Sequence, residues 1–144
     1  MQLDMTSERL KLEYAALAAF FSYKQFQLDM DKLIFAVQTN SKKVYTIKVD
    51  LTGGFPYSVP SVFIMTPKPL LTWDGHSMLE PSHSMHTLQG ENGCVRVCHY
   101  GQIDWVPNVS LYQVIVKVRI WLEMYEVHLK TGRPLDYYLT SAEQ

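Results

Sequence analysis

A chain of 144 residues, 47 % hydrophobic and 19 % charged, is long enough for one domain with its own core and needs neither metal nor disulfide to hold it. Its 13 Lys and Arg against 14 Asp and Glu leave a net charge of −1, which provides no overall basic surface for nucleic acid or an anionic membrane. Two Cys are too few for a disulfide scaffold and suit a reducing compartment. The longest apolar run, Ala15 to Phe21, falls far short of the roughly 20 residues of a membrane span. Acids at Asp4 and Glu8 are also wrong for a secretory leader. The expectation is a soluble cytoplasmic protein with no nucleic-acid or membrane partner.

Thr6 and Ser7 are good helix caps, and Glu8 puts an acid in the first turn, where the helix dipole favours it. Leu10, Tyr14, Leu17, Ala18 and Phe21 recur at spacings of three and four, so an amphipathic helix is predicted over 7–22. The period then changes. Phe26–Met30, Leu33–Thr39 and Val44–Leu51 are short β-rich runs, and in the last of them Val44, Thr46, Lys48 and Asp50 alternate with Tyr45, Ile47, Val49 and Leu51. That is the pattern of a strand with one wet face. Gly53-Gly54-Phe55-Pro56 breaks the chain, and Val62–Met65 makes a fourth strand before Pro67 and Pro69 end it. One helix followed by a four-stranded antiparallel meander places the chain in the α+β class.

Residues 67–107 have no sustained period, yet they hold His76, His83, His86, His99 and both cysteines. An irregular stretch of this length in a compact domain usually carries function. From Ser110 to Lys130 the helical period returns, with Leu111, Val114, Val118, Trp121, Leu122, Tyr125 and Leu129 as its apolar stripe; Asn108 or Ser110 can cap its start, and Gly132 with Pro134 stops it. Beyond it Tyr137, Tyr138 and Leu139 either fold back on the domain or dock on a partner.

Chemistry concentrates in Gly93-Cys94-Val95-Arg96-Val97-Cys98-His99-Tyr100. An extended run would part the two cysteine Cα atoms by about 13 Å, beyond the roughly 7 Å that a disulfide tolerates. Arg96 and His99 would favour the thiolate of whichever cysteine they face; the plainer alternative for either thiol is a small buried side chain. His83-x-x-His86 with Cys94, Cys98 and His99 has the donor chemistry of zinc but lacks the short Cys-x-x-Cys clip, so no metal is expected. A hydrolase elbow and a Gly-rich phosphate loop are both missing, and no cofactor is expected. A Cys98 dyad with His86 or His99 is chemically sound, although spacing alone does not bring the pair together.

In order along the chain, these segments resemble the ubiquitin-conjugating enzyme family. Phe55-Pro56-Tyr57-Ser58-Val59-Pro60-Ser61-Val62-Phe63-Ile64 is similar to that family's Tyr-Pro-Phe-x-Pro-Pro-x-Val-x-Phe run, and His86 falls where its His-Pro-Asn motif begins. Gly93 through Cys98 resembles its Gly-x-Ile-Cys-Leu segment with two residues extra, and Trp105-Val106-Pro107-Asn108-Val109-Ser110-Leu111 resembles its Trp-x-Pro-x-x-Thr/Ser-Leu run. Trp121-Leu122-Glu123-Met124-Tyr125-Glu126 and Lys130-Thr131-Gly132-Arg133 resemble the bacterial members, which accompany an activating-enzyme-like protein, a ubiquitin-like modifier and an isopeptidase in defence operons.

The resemblance implies a ubiquitin-conjugating-like domain over the whole chain, with a cysteine that takes the modifier's C-terminus as a thioester and passes it to an amine on a target protein. Cys98 fits better than Cys94, because an aliphatic residue precedes it and its interval to Trp105 is closer to the family pattern. His86, Asn92 and His99 are its expected helpers. Thr87 and Leu88 stand where the family has Pro and Asn, so an oxyanion donor would have to come from backbone N–H groups, Asn92 or another side chain. Arg9, Lys11 and Glu13 on the first helix are expected to face solvent or the activating enzyme. The alternative is a binding module that has the architecture without the chemistry.

Overall fold

A computed structural model describes residues 6–101 and 104–142; Asp4 lies outside them. Helix α1 (Ser7–Ala18) starts where Thr6 Oγ1 accepts the Arg9 amide at 3.0 Å. Strands β1 (Phe26–Leu28), β2 (Lys32–Gln38), β3 (Val44–Asp50) and β4 (Ser61–Thr66) form the expected meander. The sheet is larger than expected. The stretch 67–107 contains a hairpin, β5 (Thr87–Glu91) and β6 (Cys94–Val97), which joins antiparallel beside β4 to give six strands in the order β1-β2-β3-β4-β6-β5. Val95 and Val97 supply its buried face. Two inward valines are too short a run to stand out as a period.

Helix α2 (Leu111–Thr131) opens on a reciprocal cap between Ser110 and Gln113 and closes at Gly132, whose φ of +75° suits glycine. Leu111, Val114, Ile115, Val118, Trp121, Leu122 and Tyr125 bury one face against the sheet, with Leu33, Phe35, Ile47, Val49 and Ile64 in the same core. At the end of the stripe His128 is inside and Leu129 is 40 % exposed. The tail folds back as α3 (Leu135–Ala142), burying Leu135 and Leu139.

Near the N-terminus the structure departs from the amphipathic expectation. Helix α1 stops at Ala18, and a second reciprocal cap, Ser22 with Gln25, sets a short 3₁₀ turn leading into β1. Phe20 and Tyr23 are exposed, and Tyr14 is half-exposed with its ring centroid 5.3 Å from that of Phe26. The residues buried from α1 are Leu17 and Glu13. Glu13 is therefore no solvated surface charge. Its Oε1 accepts the Leu111 amide at 2.7 Å, and its Oε2 accepts Arg9 Nε at 2.7 Å, while Arg9 Nη2 donates to the Val109 carbonyl at 3.0 Å. One carboxylate thus occupies an orphan donor at the positive end of α2 and neutralises a cation. Glu13→Ala is expected to lower unfolding free energy by about 3 kcal/mol, because it strands a partly buried Arg and a helix-end amide. A urea midpoint unchanged from the parent would contradict this role.

Candidate functional site

The connection from β4 to β5 carries little secondary structure of its own, and α2 holds it by side chains one turn apart. Trp121 Nε1 donates to the carbonyls of Met85 and His86, at 3.2 and 3.1 Å. Tyr125 hydroxyl donates to the Leu71 carbonyl at 2.6 Å. His128 Nε2 accepts the Trp73 amide at 3.1 Å, and its Nδ1 donates to the Arg133 carbonyl at 2.7 Å. Leu70, Met78 and Met85 fill the space below. Trp121 and Tyr125 belong to the apolar stripe by periodicity; their polar tips, and His128, were not legible as anchors in sequence.

His86 is the hub of this connection. It is a non-glycine residue at φ +55°, a conformation that costs energy and persists only where its surroundings impose it. Its carbonyl accepts the Cys98 amide at 2.9 Å in addition to Trp121. Its ring Nε2 donates to Asp136 Oδ1 at 3.0 Å, and the Asp136 amide donates to the Ser84 carbonyl at 2.8 Å. Helix α3, on which sequence reading placed no function, thereby fixes the His86 turn. His86 reaches Cys98 through its backbone, and its ring is committed to α3.

Cys98 follows β6 directly and is half-buried; Cys94, at the other end of the strand, is 5 % exposed. The Cys94 sulfur packs 3.9 Å from Lys68 Nζ and 3.8 Å from the Asn92 carbonyl. Asn92 and Gly93, at φ +54° and +76°, are the two left-handed residues that close the β5–β6 hairpin. The expectation of Asn92 as an oxyanion donor is corrected by this placement: it sits beyond the far end of β6, about 20 Å along an extended strand from Cys98. An Asn-Gly pair between two short strands is a turn signal, and here it is one.

His99 also differs from expectation. Its Nε2 lies 2.8 Å from the Pro60 carbonyl and its Nδ1 is buried without a partner. Burial pushes its pKa down to about 4; the bond to Pro60 opposes the shift, and the positive charges of Lys117 and Arg96 add to it. The ring is neutral near pH 7, with Nε2–H donating, and it brings no positive charge to a thiolate. Trp105 Nε1 donates to the Pro56 carbonyl at 2.8 Å, and its ring meets Tyr100 edge-to-face and Phe55 at a tilt, at centroid spacings of 5.6 and 6.0 Å. The segments 55–60, 98–100 and 105, far apart along the chain, therefore meet beside Cys98.

Among the described residues, no three His, Cys, Asp or Glu side chains converge as metal ligands, and no helix is long and apolar enough to cross a membrane. A groove of about 880 Å³ lies elsewhere, between Phe20, Phe35, Tyr112 and Ile120. No protein-family model, curated protein or solved structure matches the chain.

Because His99 has a folded-state pKa below its ordinary 6.5, the unfolded chain binds its proton more tightly. Its contribution is complete above pH 6.5 and is lost as the pH falls towards 4, by at most about 3 kcal/mol. Urea unfolding between pH 7 and 4.5 is expected to show this decline, and His99→Gln should flatten it. An equal slope in the variant would contradict the neutral-histidine assignment.

Proposed function

We propose that the chain carries a ubiquitin-like modifier as a thioester on Cys98, received from an activating-enzyme-like protein and passed to an amine of a target protein, in the cytoplasm and as part of a bacterial defence system. The α+β architecture, with a meander, a long helix behind it and a cysteine at the sheet's end, supports the ubiquitin-conjugating-like reading. The observation that carries the reading is the contrast between the two thiols. Cys98 is the more accessible, and its amide is tied to the His86 turn; Cys94 is packed beneath the hairpin. A thiol near its ordinary pKa already supplies a few per cent thiolate at pH 7, which is sufficient for thioester exchange. A carrier of a protein's extended C-terminus needs an open strand end rather than an enclosed cavity.

A second reading, a binding module of the same architecture without the chemistry, draws on the absence of the expected helpers. Asn92 is remote, the His99 ring is engaged with Pro60, and the Cys98 amide already donates to His86. Charging separates the two. With ATP, a cognate activating-enzyme-like protein and its modifier, the chain is expected to form an adduct that dithiothreitol reverses. Cys98→Ala should abolish the adduct and Cys94→Ala should retain it. The reverse result would move the nucleophile to Cys94, and no reducible adduct on either thiol would leave the binding module as the better account.

A further inference from the structure

The carrier reading leaves the carbonyl oxygen of the bound acyl group without a donor, and β6 supplies one. Val95 and Val97 point into the core, so Arg96 lies on the opposite face of the sheet, between Phe63 of β4 and Leu88 of β5 in register. The Cys98 amide bonds to His86 and carries the ladder one residue past the strand. Side chains two residues apart on extended backbone share a face, with Cα atoms about 7 Å apart, a span well within the reach of an arginine stem. Arg96 and Cys98 therefore lie on one face of the sheet, two residues apart. Phe63, the register partner of Arg96 on β4, is only 7 % exposed although it lies on the face away from the core. The Arg96 Nε is buried and has no hydrogen-bond partner, and no ion pair holds the guanidinium among the described residues. A desolvated donor left unmatched is costly unless something else occupies it.

Resting on the carrier reading, we propose that Arg96 is a catalytic residue whose guanidinium binds the carbonyl oxygen of the acyl group on Cys98 and holds the oxyanion formed there. During transfer the amine nitrogen bonds to the carbonyl carbon, and the π electrons move onto the oxygen facing Arg96. On collapse the carbonyl re-forms, the carbon–sulfur bond breaks towards sulfur, and the proton of the new ammonium passes to the thiolate or to solvent. The guanidinium keeps its own protons throughout. Its donors match a charge that develops in the transition state, which is where preorganised donors act most strongly.

Two electrophiles test this on the full chain carrying Cys94→Ala. Acylation by p-nitrophenyl acetate passes through a tetrahedral oxyanion and expels p-nitrophenolate; alkylation by iodoacetamide expels iodide and forms no oxyanion. Arg96→Gln is expected to slow acylation of Cys98 about 10²-fold relative to alkylation, with Arg96→Lys recovering part of the loss. The ratio of the two rates cancels any change in thiolate fraction or in folding. An unchanged ratio, or a Cys98 that p-nitrophenyl acetate does not acylate at all, overturns the assignment. Failure of enzyme-dependent charging would instead sink the carrier reading and leave this ratio standing.

Discussion

Three polar tips along one face of α2 hold the part of the molecule on which the proposed thioester chemistry depends. A connection between two neighbouring strands that carries almost no repeating backbone structure loses much conformational entropy on ordering, and its buried carbonyls and amides need partners. Trp121, Tyr125 and His128 provide them, at successive turns of a helix that the core has already fixed. The indole reaches the carbonyl of His86, and the same carbonyl takes the amide of Cys98. A rigid helix thus positions the sulfur through two hydrogen bonds that share one acceptor. The strained backbone of His86 is held from a third side by Asp136.

Charge is handled in three different ways around this frame. Glu13 is buried but fully matched, between the end of α2 and Arg9, and so contributes to stability. His99 is kept neutral by desolvation, and it braces the 55–60 loop instead of activating a thiol. Arg96, on the face of the sheet away from the core, has a buried nitrogen left unmatched. Only the last arrangement leaves interaction energy available to something that binds from outside. This arrangement lies apart from the groove between α2 and β2, which Phe20 and Phe21 also line.

Elements with a strong period were legible in the sequence. The meander and the long helix, with a start at Asn108 or Ser110 and a stop at Gly132, follow from alternation and capping chemistry; the preference for Cys98 comes from the family resemblance. Misreadings occurred where one side chain serves two purposes. Tyr14 fits a helical stripe, yet it packs only against the edge of the sheet at Phe26 and remains half-exposed. Glu13 looked like a solvated charge because its partners, the Leu111 amide and the Val109 carbonyl-bound Arg9, are either nearly a hundred residues distant or tied to such a place.

Local pattern by itself determined the class of the fold, the ends of its major helix, and the stretch of chain in which reactive side chains gather. These depend on interactions within a few residues, which sequence spacing records. Only the tertiary structure decided which of those side chains stand together. It attached the 87–97 hairpin to β4, moved Asn92 to the remote end of β6, neutralised His99 by burial, and set Arg96 on the same face as Cys98. The pairing with β4 and the burial of His99 depend on segments distant along the chain and leave no mark on local composition, whereas the Asn92-Gly93 turn and the shared face of Arg96 and Cys98 follow local signals.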